Sequence, residues 1–114
     1  MPLFEMNWTR TVTIAPYTGE DRFGARTYGE TLTVPCILEW MVKNIKDFRG
    51  NTFITDAWIA IPPEYTVNER DKITLPDGSS PYIGSISKIY DEEAEDYLYT
   101  EIYIGKVAPG EGSL

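Results

Sequence analysis

The stretch "TLTVPCILEWMV", residues 31–42, decides the fold that the sequence predicts. Apolar side chains occupy every second position of this stretch, namely Leu32, Val34, Cys36, Leu38, Trp40 and Val42. An alternation with a period of two, together with β-branched residues, predicts a long β-strand with one buried face. We expect Leu38 and Trp40 to lie in the core on that face. Pro35 has no N–H to give to a neighbouring strand, so we expect it at a bulge or at an edge.

Other stretches along the chain repeat this alternation and predict further strands. They are "WTRTVTIA" (8–15), "NTFITDAWIAI" (51–61), "DKITL" (71–75) and "YLYTEIYI" (97–104). The side chains expected to point inward are Trp8, Val12, Ile14, Phe53, Ala57, Ile59, Ile61, Ile73, Leu75, Leu98, Thr100, Ile102 and Ile104. In "PYIGSISKIY" (81–90) the spacing is helical, but proline, glycine and serine are poor helix formers. We expect a strand there, with a bulge near Gly84 that moves the inward position from Ile83 to Ile86.

The stretch "LPDG" (75–78) is typical of a tight turn between two strands. Pro76 presets its φ angle, Asp77 can accept a hydrogen bond from nearby backbone, and Gly78 tolerates a positive φ. The oxygens of Asp77, Ser79 and Ser80 would also suit a ligand-binding loop. We favour the turn, because turn chemistry accounts for every residue of the stretch.

These patterns predict an all-β fold, a small antiparallel β-barrel or sandwich of about six strands with long projecting loops. A length of 114 residues suits one domain. We expect a single domain over residues 1–114, with short flexible termini at about 1–6 and 107–114. No segment has the pattern of a helix.

The composition argues against an enzyme. The chain has no histidine, one cysteine (Cys36), and 18 acidic against 10 basic residues, for a net charge of −8. Without histidine the common general base and metal ligand are missing, and we expect no catalytic residues, no metal site and no cofactor. Five carboxylates crowd residues 91–96, "DEEAED", where we expect a solvated hairpin tip. Calcium binding there is the alternative, although the spacing is not that of an EF-hand.

Aromatic residues mark a candidate contact surface. Ile54 and Trp58 alternate with the inward side chains of their strand, and Tyr97, Tyr99 and Tyr103 do the same on the last strand. Exposed tyrosine and tryptophan are enriched at protein interfaces, so we expect these five residues to contact a partner. The alternative is that cross-strand aromatic pairs only stabilise the sheet.

Three bases stand close together in "VKNIKDFRG" (42–50), namely Lys43, Lys46 and Arg49. In an acidic chain, such a loop suits DNA phosphates or an acidic neighbouring protein. A solvated hairpin is the alternative.

The order of these pieces resembles the head-completion proteins of long-tailed bacteriophages, also called stopper, head–tail connector or minor capsid proteins. The resemblance spans about residues 8–106. It runs from "TVTI" (11–14) through "TYGE" (27–30) and "TLTVPCILEW" (31–40) to "RDKITLPDGSSPYIGSISKIYD" (70–91) and a last strand. It implies a small β-barrel that forms a homo-oligomeric ring below the portal and adaptor, closes the head after DNA packaging, and presents a docking surface to the tail.

The resemblance also implies roles for residues, partners and a location. The loop from Met41 to Asn51 corresponds to the family's channel loop, so Lys43, Lys46 and Arg49 would face packaged double-stranded DNA. The loop of residues 16–29 would reach an adjacent subunit or the adaptor ring, through Tyr17, Arg22, Phe23 and Arg26. The protein would be made in the cytoplasm of the bacterial host and reside in the neck of the virion, with no membrane contact.

Two alternatives remain open at this point. One is a tail terminator or another tail-junction protein, which would be expected to pack helices on a sheet. The other is a non-viral β-barrel binding module, which would need one concave aromatic pocket.

Overall fold

The all-β prediction is confirmed by a computed structural model, which describes residues 8–105. The strands are β1 (Arg10–Ala15), β2 (Tyr17–Glu20), β3 (Arg26–Tyr28), β4 (Leu32–Lys46), β5 (Thr52–Ile61), β6 (Lys72–Thr74), β7 (Tyr82–Asp91) and β8 (Asp96–Gly105). No helix long and apolar enough to cross a membrane occurs within residues 8–105. The termini expected to be flexible, 1–6 and 107–114, lie outside the described residues.

Six of the strands form one antiparallel sheet in the order β6-β1-β4-β5-β8-β7, curled into a half-barrel. The remaining two, β2 and β3, form a separate two-stranded sheet. Because β6 and β7 are the two ends of the strand order, no strand among residues 8–105 closes the half-barrel between them. Unpaired edges of this kind leave backbone groups free for other contacts.

The long strand β4 pairs with two neighbouring strands in succession. Its first part pairs with β1, and its ladder with β5 begins only at Ile37, opposite Ala60. Pro35 lies opposite Thr11 of β1, before the β5 ladder starts. Its missing N–H therefore removes no bond to β5, which agrees with the expectation that Pro35 occupies a local edge.

The core fills the concave face of the half-barrel. Its buried members are Val12, Ile14, Val34, Cys36, Ala57, Ile59, Ile61, Val67, Ile73, Leu75, Ile83, Ile102 and Ile104. Phe53 and Thr100 are buried as expected, whereas Trp8 and Leu98 are only half-buried. Leu38 and Ile86 pack against this cluster from its margin. Six strands contribute these apolar side chains, together with Val67 and Leu75 from the segments that flank β6, and their burial holds the sheet in its curved shape.

The expectation that Trp40 lies in the core is wrong, since 59% of its surface is exposed. The register shifts after Trp40, so that three steps along β4 match two steps along β5, from Ala57 to Thr55. The Thr55 hydroxyl fills this bulge, donating towards the carbonyl oxygens of Met41 (3.4 Å) and Lys43 (3.2 Å). The extra residue ends the alternation, and Trp40 lies at the uncovered end of the concave face.

Two other apolar residues of the same predicted face are also exposed. Val42, at 79%, follows the start of the bulge and no longer continues the inward row. Leu32, at 52%, begins β4 and borders a hollow of about 210 Å³ together with Ile14 and Tyr65. The buried part of the predicted strand is therefore its middle.

The bulge expected near Gly84 is confirmed by a register shift between Ile83 and Ser85. The ring of Phe53 explains the glycine, because a Cβ at Gly84 would overlap that ring. A Cβ at Gly105 on β8 would crowd the same ring. The two missing side chains thus leave room for the Phe53 ring against β7 and β8.

Candidate functional site

Two hairpin turns of the molecule are built alike. The first tip is "DRFGA" (21–25), which joins β2 to β3, and the second tip is "DFRGN" (47–51), which joins β4 to β5. In each, the aspartate N–H donates to the carbonyl oxygen four residues on, at 2.8 and 2.9 Å, and the glycine N–H donates back to the aspartate carbonyl, at 3.0 and 3.1 Å. Gly24 and Gly50 take φ angles of 83° and 81°, as three-residue hairpin loops require.

The aspartate side chain closes each tip. Oδ1 of Asp21 accepts the N–H groups of Phe23 (2.8 Å) and Ala25 (3.0 Å). Oδ1 of Asp47 accepts those of Arg49 (2.9 Å) and Asn51 (3.0 Å). Each tip is therefore stabilised by its own residues, and each holds one arginine and one phenylalanine at its apex.

The surroundings of the tips differ. Phe23 is 83% exposed, with the Arg22 guanidinium 5.2 Å from its ring centre. Asp47 is buried, and Phe48 is 43% exposed. Arg49 lines a hollow in the body of the protein. The first tip is exposed over its whole length, whereas the second buries its aspartate and sets Arg49 against the body of the protein, and we call it docked in that sense.

That hollow, which we call the basic hollow, has a volume of about 330 Å³. Four cationic side chains line it, namely Arg26, Arg49, Arg70 and Lys72. They are four of the nine bases between residues 8 and 105. Lys72 belongs to β6, and Tyr82 and Ile83 of β7 complete the wall, so the hollow occupies the gap between the two open edges of the half-barrel.

Two carboxylates also line the basic hollow, Glu69 and Asp71. Asp71 is buried, and its oxygens accept the backbone N–H groups of Tyr17 and Asn68, both at 2.9 Å. These bonds tie the β2–β3 hairpin to the segment before β6, so Asp71 positions the wall of the hollow. Glu69 is exposed.

The cations of the basic hollow form no ion pair with the carboxylates of residues 8–105. Arg70 lies 5.6 Å from the ring centre of Tyr17, and Lys72 lies 5.9 Å from that of Tyr28. The guanidinium groups of Arg26 and Arg49 form no hydrogen bond or ion pair with any of residues 8–105. Guanidinium groups bind carboxylate and phosphate oxygens in pairs, so the arrangement suits an anion.

The expected acidic hairpin tip is present at the far end of β7. It spans residues 91–96 and joins β7 to β8. The Glu93 N–H donates to Oδ1 of Asp91 at 3.0 Å, and Glu95 adopts a positive φ of 53°. Glu92, Glu93 and Glu95 are exposed. Within the described part of the chain, no three aspartate, glutamate or cysteine side chains form a group that could hold a metal ion.

Aromatic side chains cover the convex face of the sheet, in what we call the aromatic surface, made of Trp58, Tyr99 and Tyr103. The rings of Trp58 and Tyr99 meet edge to face with centroids 6.1 Å apart. Nε1 of Trp58 donates to Oε2 of Glu101 at 3.1 Å, and Lys43 lies 5.5 Å from the ring centre of Tyr103. Burial, with added effects of Glu101 and Tyr103, raises the pKa of Tyr99. All three rings are half-buried, and Ile54 lies exposed on the same strand as Trp58.

Tyr97 is not part of the aromatic surface, contrary to the expected stripe. The register shifts so that Ile89 lies opposite Tyr99 and Tyr90 opposite Tyr97. The rings of Tyr90 and Tyr97 are 5.1 Å apart, and Lys88 lies 5.6 Å from the Tyr97 ring centre. The extra residue in β8 separates Tyr97 from the Tyr99 side.

The basic loop expected at 41–51 is mostly strand, because β4 continues to Lys46 and β5 begins at Thr52. Lys43 joins the aromatic surface, Lys46 stays exposed at the end of β4, and Arg49 lines the basic hollow. The predicted loop is therefore the end of a hairpin whose three bases have different surroundings, and their contact with DNA stays a prediction.

The loop expected at 16–29 is the β2–β3 hairpin. Tyr17 packs edge to face on Tyr28 with centroids 6.5 Å apart. Arg22 and Phe23 lie at its apex, whereas Arg26 turns to the basic hollow. Sequence reasoning missed Arg70 and Lys72, because they alternate with Glu69 and Asp71 in "ERDK" and the stretch has no net charge.

The turn at 75–79 has the predicted form. Asp77 Oδ1 accepts the N–H of Ser79 at 2.9 Å and its hydroxyl at 2.6 Å, and these bonds lower the pKa of Asp77. The Ser80 hydroxyl bonds that of Thr74 at 3.2 Å. The oxygens considered for a ligand are thus engaged within the turn and beside it.

Comparison with protein-family models and with curated protein sequences gave no match to this chain.

Proposed function

We propose that this protein is a structural component of a bacteriophage neck, a head-completion protein that forms a ring below the portal and adaptor. In this role it closes the head after DNA packaging and gives the tail a surface to dock on. The observation that carries the proposal is the order of strands and turns between residues 8 and 106, which resembles that family. The all-β half-barrel agrees with the small β-barrel that the resemblance implies.

Separate contact surfaces support the proposal. The first tip, the basic hollow and the aromatic surface lie on different parts of the molecule. A ring subunit must touch two neighbouring copies, one assembly above and one below, so it needs several surfaces rather than one pocket. We assign the aromatic surface, with Ile54 beside it, to an adjoining ring, and Phe23 of the first tip to the adaptor.

In this proposal, Lys46 is the residue that contacts DNA. All three bases are exposed, but Lys43 lies 5.5 Å from the Tyr103 ring centre and Arg49 lines the basic hollow, so Lys46 is the base that belongs to neither surface. We propose that this end of the domain faces the channel. One base on a chain of net charge −8 should bind duplex DNA weakly until several copies converge in a ring.

The tail-terminator alternative would be expected to pack helices on a sheet, and no residue between 8 and 105 is helical. The binding-module alternative predicts a monomer that takes a small ligand. It differs from the neck proposal in oligomeric state, which makes the two separable by imaging.

Electron microscopy of the purified protein with the portal and adaptor of its virus tests the proposal. We expect a ring of density below the portal, on the tail side. Particles that leave the portal bare at micromolar protein concentration would contradict the neck assignment.

The aromatic surface is tested in the same experiment with two matched variants. Tyr99→Ser should fold and lose most of its occupancy on the partner ring, because an interface aromatic is removed. Tyr90→Ser removes a tyrosine that lies outside the aromatic surface and should dock normally. Failure of Tyr99→Ser to fold would place Tyr99 among the residues that stabilise the sheet.

A further inference from the structure

We propose that the basic hollow of one copy of this protein holds the acidic tip, residues 91–96, of the next copy. This contact deepens the ring proposed above and rests on that function for the closure of the ring. Each molecule carries both halves of the contact. One half is a concave group of four cations, and the other is a convex hairpin tip with five carboxylates.

The two halves lie at opposite ends of β7. Tyr82, the first residue of this strand, lines the basic hollow, and Asp91, its last residue, begins the acidic tip. Nine steps of about 3.3 Å place them roughly 30 Å apart, so they cannot meet within one molecule. Contact between two different patches is head to tail, and repetition of such a contact gives a ring when the rotation closes.

The chemistry of the two halves is complementary. Glu92, Glu93 and Glu95 are exposed, and Arg26 and Arg49 have no ion pair within residues 8–105. A guanidinium group holds a carboxylate through two parallel hydrogen bonds. Apposition would also relieve the repulsion among the crowded carboxylates of the tip.

The shape and charge of the molecule favour this occupant over nucleic acid. The basic hollow is a gap between two sheet edges, and a hairpin tip can enter it. A DNA duplex is a broad cylinder that would meet only the rim. It would also approach a chain of net charge −8, whose field repels a polyanion over its whole length.

Disulfide trapping tests the contact without changing any charge. Ser80 lines the basic hollow and Ala94 lies in the acidic tip, and both are exposed. We would mix Ser80→Cys protein with a size-tagged Ala94→Cys protein under mild oxidation. The native Cys36 should not interfere, because it is fully buried and burial raises its pKa to about 11.

The mixture should give a disulfide-linked heterodimer, and a double variant carrying both cysteines should give a ladder of oligomers. The matched control is Ser87→Cys, an exposed position in the middle of β7 that does not line the hollow. Adding Arg49→Glu to the Ser80→Cys protein should reduce cross-linking about tenfold, because like charges then face each other. Cross-linking at the level of the Ser87→Cys control would overturn the proposal.

Two further outcomes separate this proposal from the neck assignment. If rings form below the portal and persist with Arg49→Glu, the contact is wrong and the neck function stands. If the specific cross-link forms but the portal stays bare, the contact stands and the neck function is wrong. A third outcome would overturn the proposal and assign the basic hollow to nucleic acid. In that outcome duplex DNA abolishes the cross-link, and the Arg49→Glu variant no longer binds DNA.

Discussion

The first and second tips of this protein have the same hydrogen bonds but different surroundings. In both, an aspartate closes the turn through Oδ1 and a glycine at positive φ ends it. Asp21 is exposed, whereas Asp47 is buried and its Oδ2 has no hydrogen-bond partner within residues 8–105. Local sequence therefore builds the turn, and the rest of the fold decides whether the turn projects or docks.

A third turn supports the conclusion that local sequence builds the turn independently of its surroundings. Residues 75–79 repeat the two backbone bonds, with the Leu75 N–H donating to Ser79 at 2.8 Å and the Gly78 N–H donating to Leu75 at 2.9 Å. Here the aspartate stands two positions later, as Asp77, and bonds Ser79. The glycine at positive φ is the constant element, and the aspartate can act from either position.

The largest difference between the tips should come from their aspartates. Asp47→Ala should lower the free energy of unfolding by about 2 kcal/mol and Asp21→Ala by about 1 kcal/mol, because water replaces the lost acceptor more easily at the exposed tip. Urea unfolding of both variants measures the difference. Asp47→Asn keeps an Oδ1 acceptor and should recover about half of the loss. Equal losses at the two tips would show that the burial of Asp47 does not matter.

The glycines should behave alike, because their requirement is local. Gly24→Ala and Gly50→Ala should each lower stability by about 1 kcal/mol, the strain of an alanine at left-handed φ. A Cβ at either glycine would have no atom outside its chain neighbours within 4 Å, so packing adds nothing. Thermal melts of the two variants should agree within a few degrees. A much larger loss at Gly50 would mean that the second tip is strained by its docking.

The smallest effects should come from the phenylalanines. Phe48→Ala should lower the free energy of unfolding by about 1 kcal/mol, since the ring is only partly buried. Phe23→Ala should change it by less than about 0.5 kcal/mol, because the ring projects into solvent. If Phe23→Ala proved the more damaging of the two, the first tip would have to pack against the body of the protein.

Sequence patterns predicted the class of fold and most of its core. Alternation marked Val12, Ile59 and Ile102, and all three are buried. The glycine in "PYIGSIS" marked the β7 bulge, because a missing side chain is a visible signal. Turn chemistry marked the reversal at 75–79.

The bulge in β4 left no such signal. The residues after Trp40 continue without a glycine, and the extra residue is accommodated by the Thr55 hydroxyl on the opposite strand. A contact between residues twelve or more positions apart cannot be read from the alternation. The alternation therefore gave no sign that the inward row ends at Trp40, whose side chain is still opposite Ala57 but exposed at the end of that row, whereas Val34 and Cys36 in its middle are buried as predicted.

The basic hollow could not be predicted from the sequence, for a related reason. Arg26 and Arg70 are far apart in sequence and meet only because β6 and β7 leave a gap in the sheet. The hairpin of β2 and β3 could have been predicted from the sequence, but we interpreted this segment as a loop. Its "DRFGA" has an aspartate and a glycine in the same positions as "DFRGN", which could have indicated two matching turns.

The most direct test of the ring contact compares the two arginines of the matching tips. Arg49→Glu and Arg22→Glu change the net charge equally, but only Arg49 lines the basic hollow. We would measure the mass in solution of both variants by analytical ultracentrifugation, at a concentration at which the unaltered protein is assembled. We expect Arg22→Glu to assemble normally and Arg49→Glu to remain a monomer. Equal assembly of the two variants, or an unaltered protein that stays monomeric at every concentration, would contradict the ring contact.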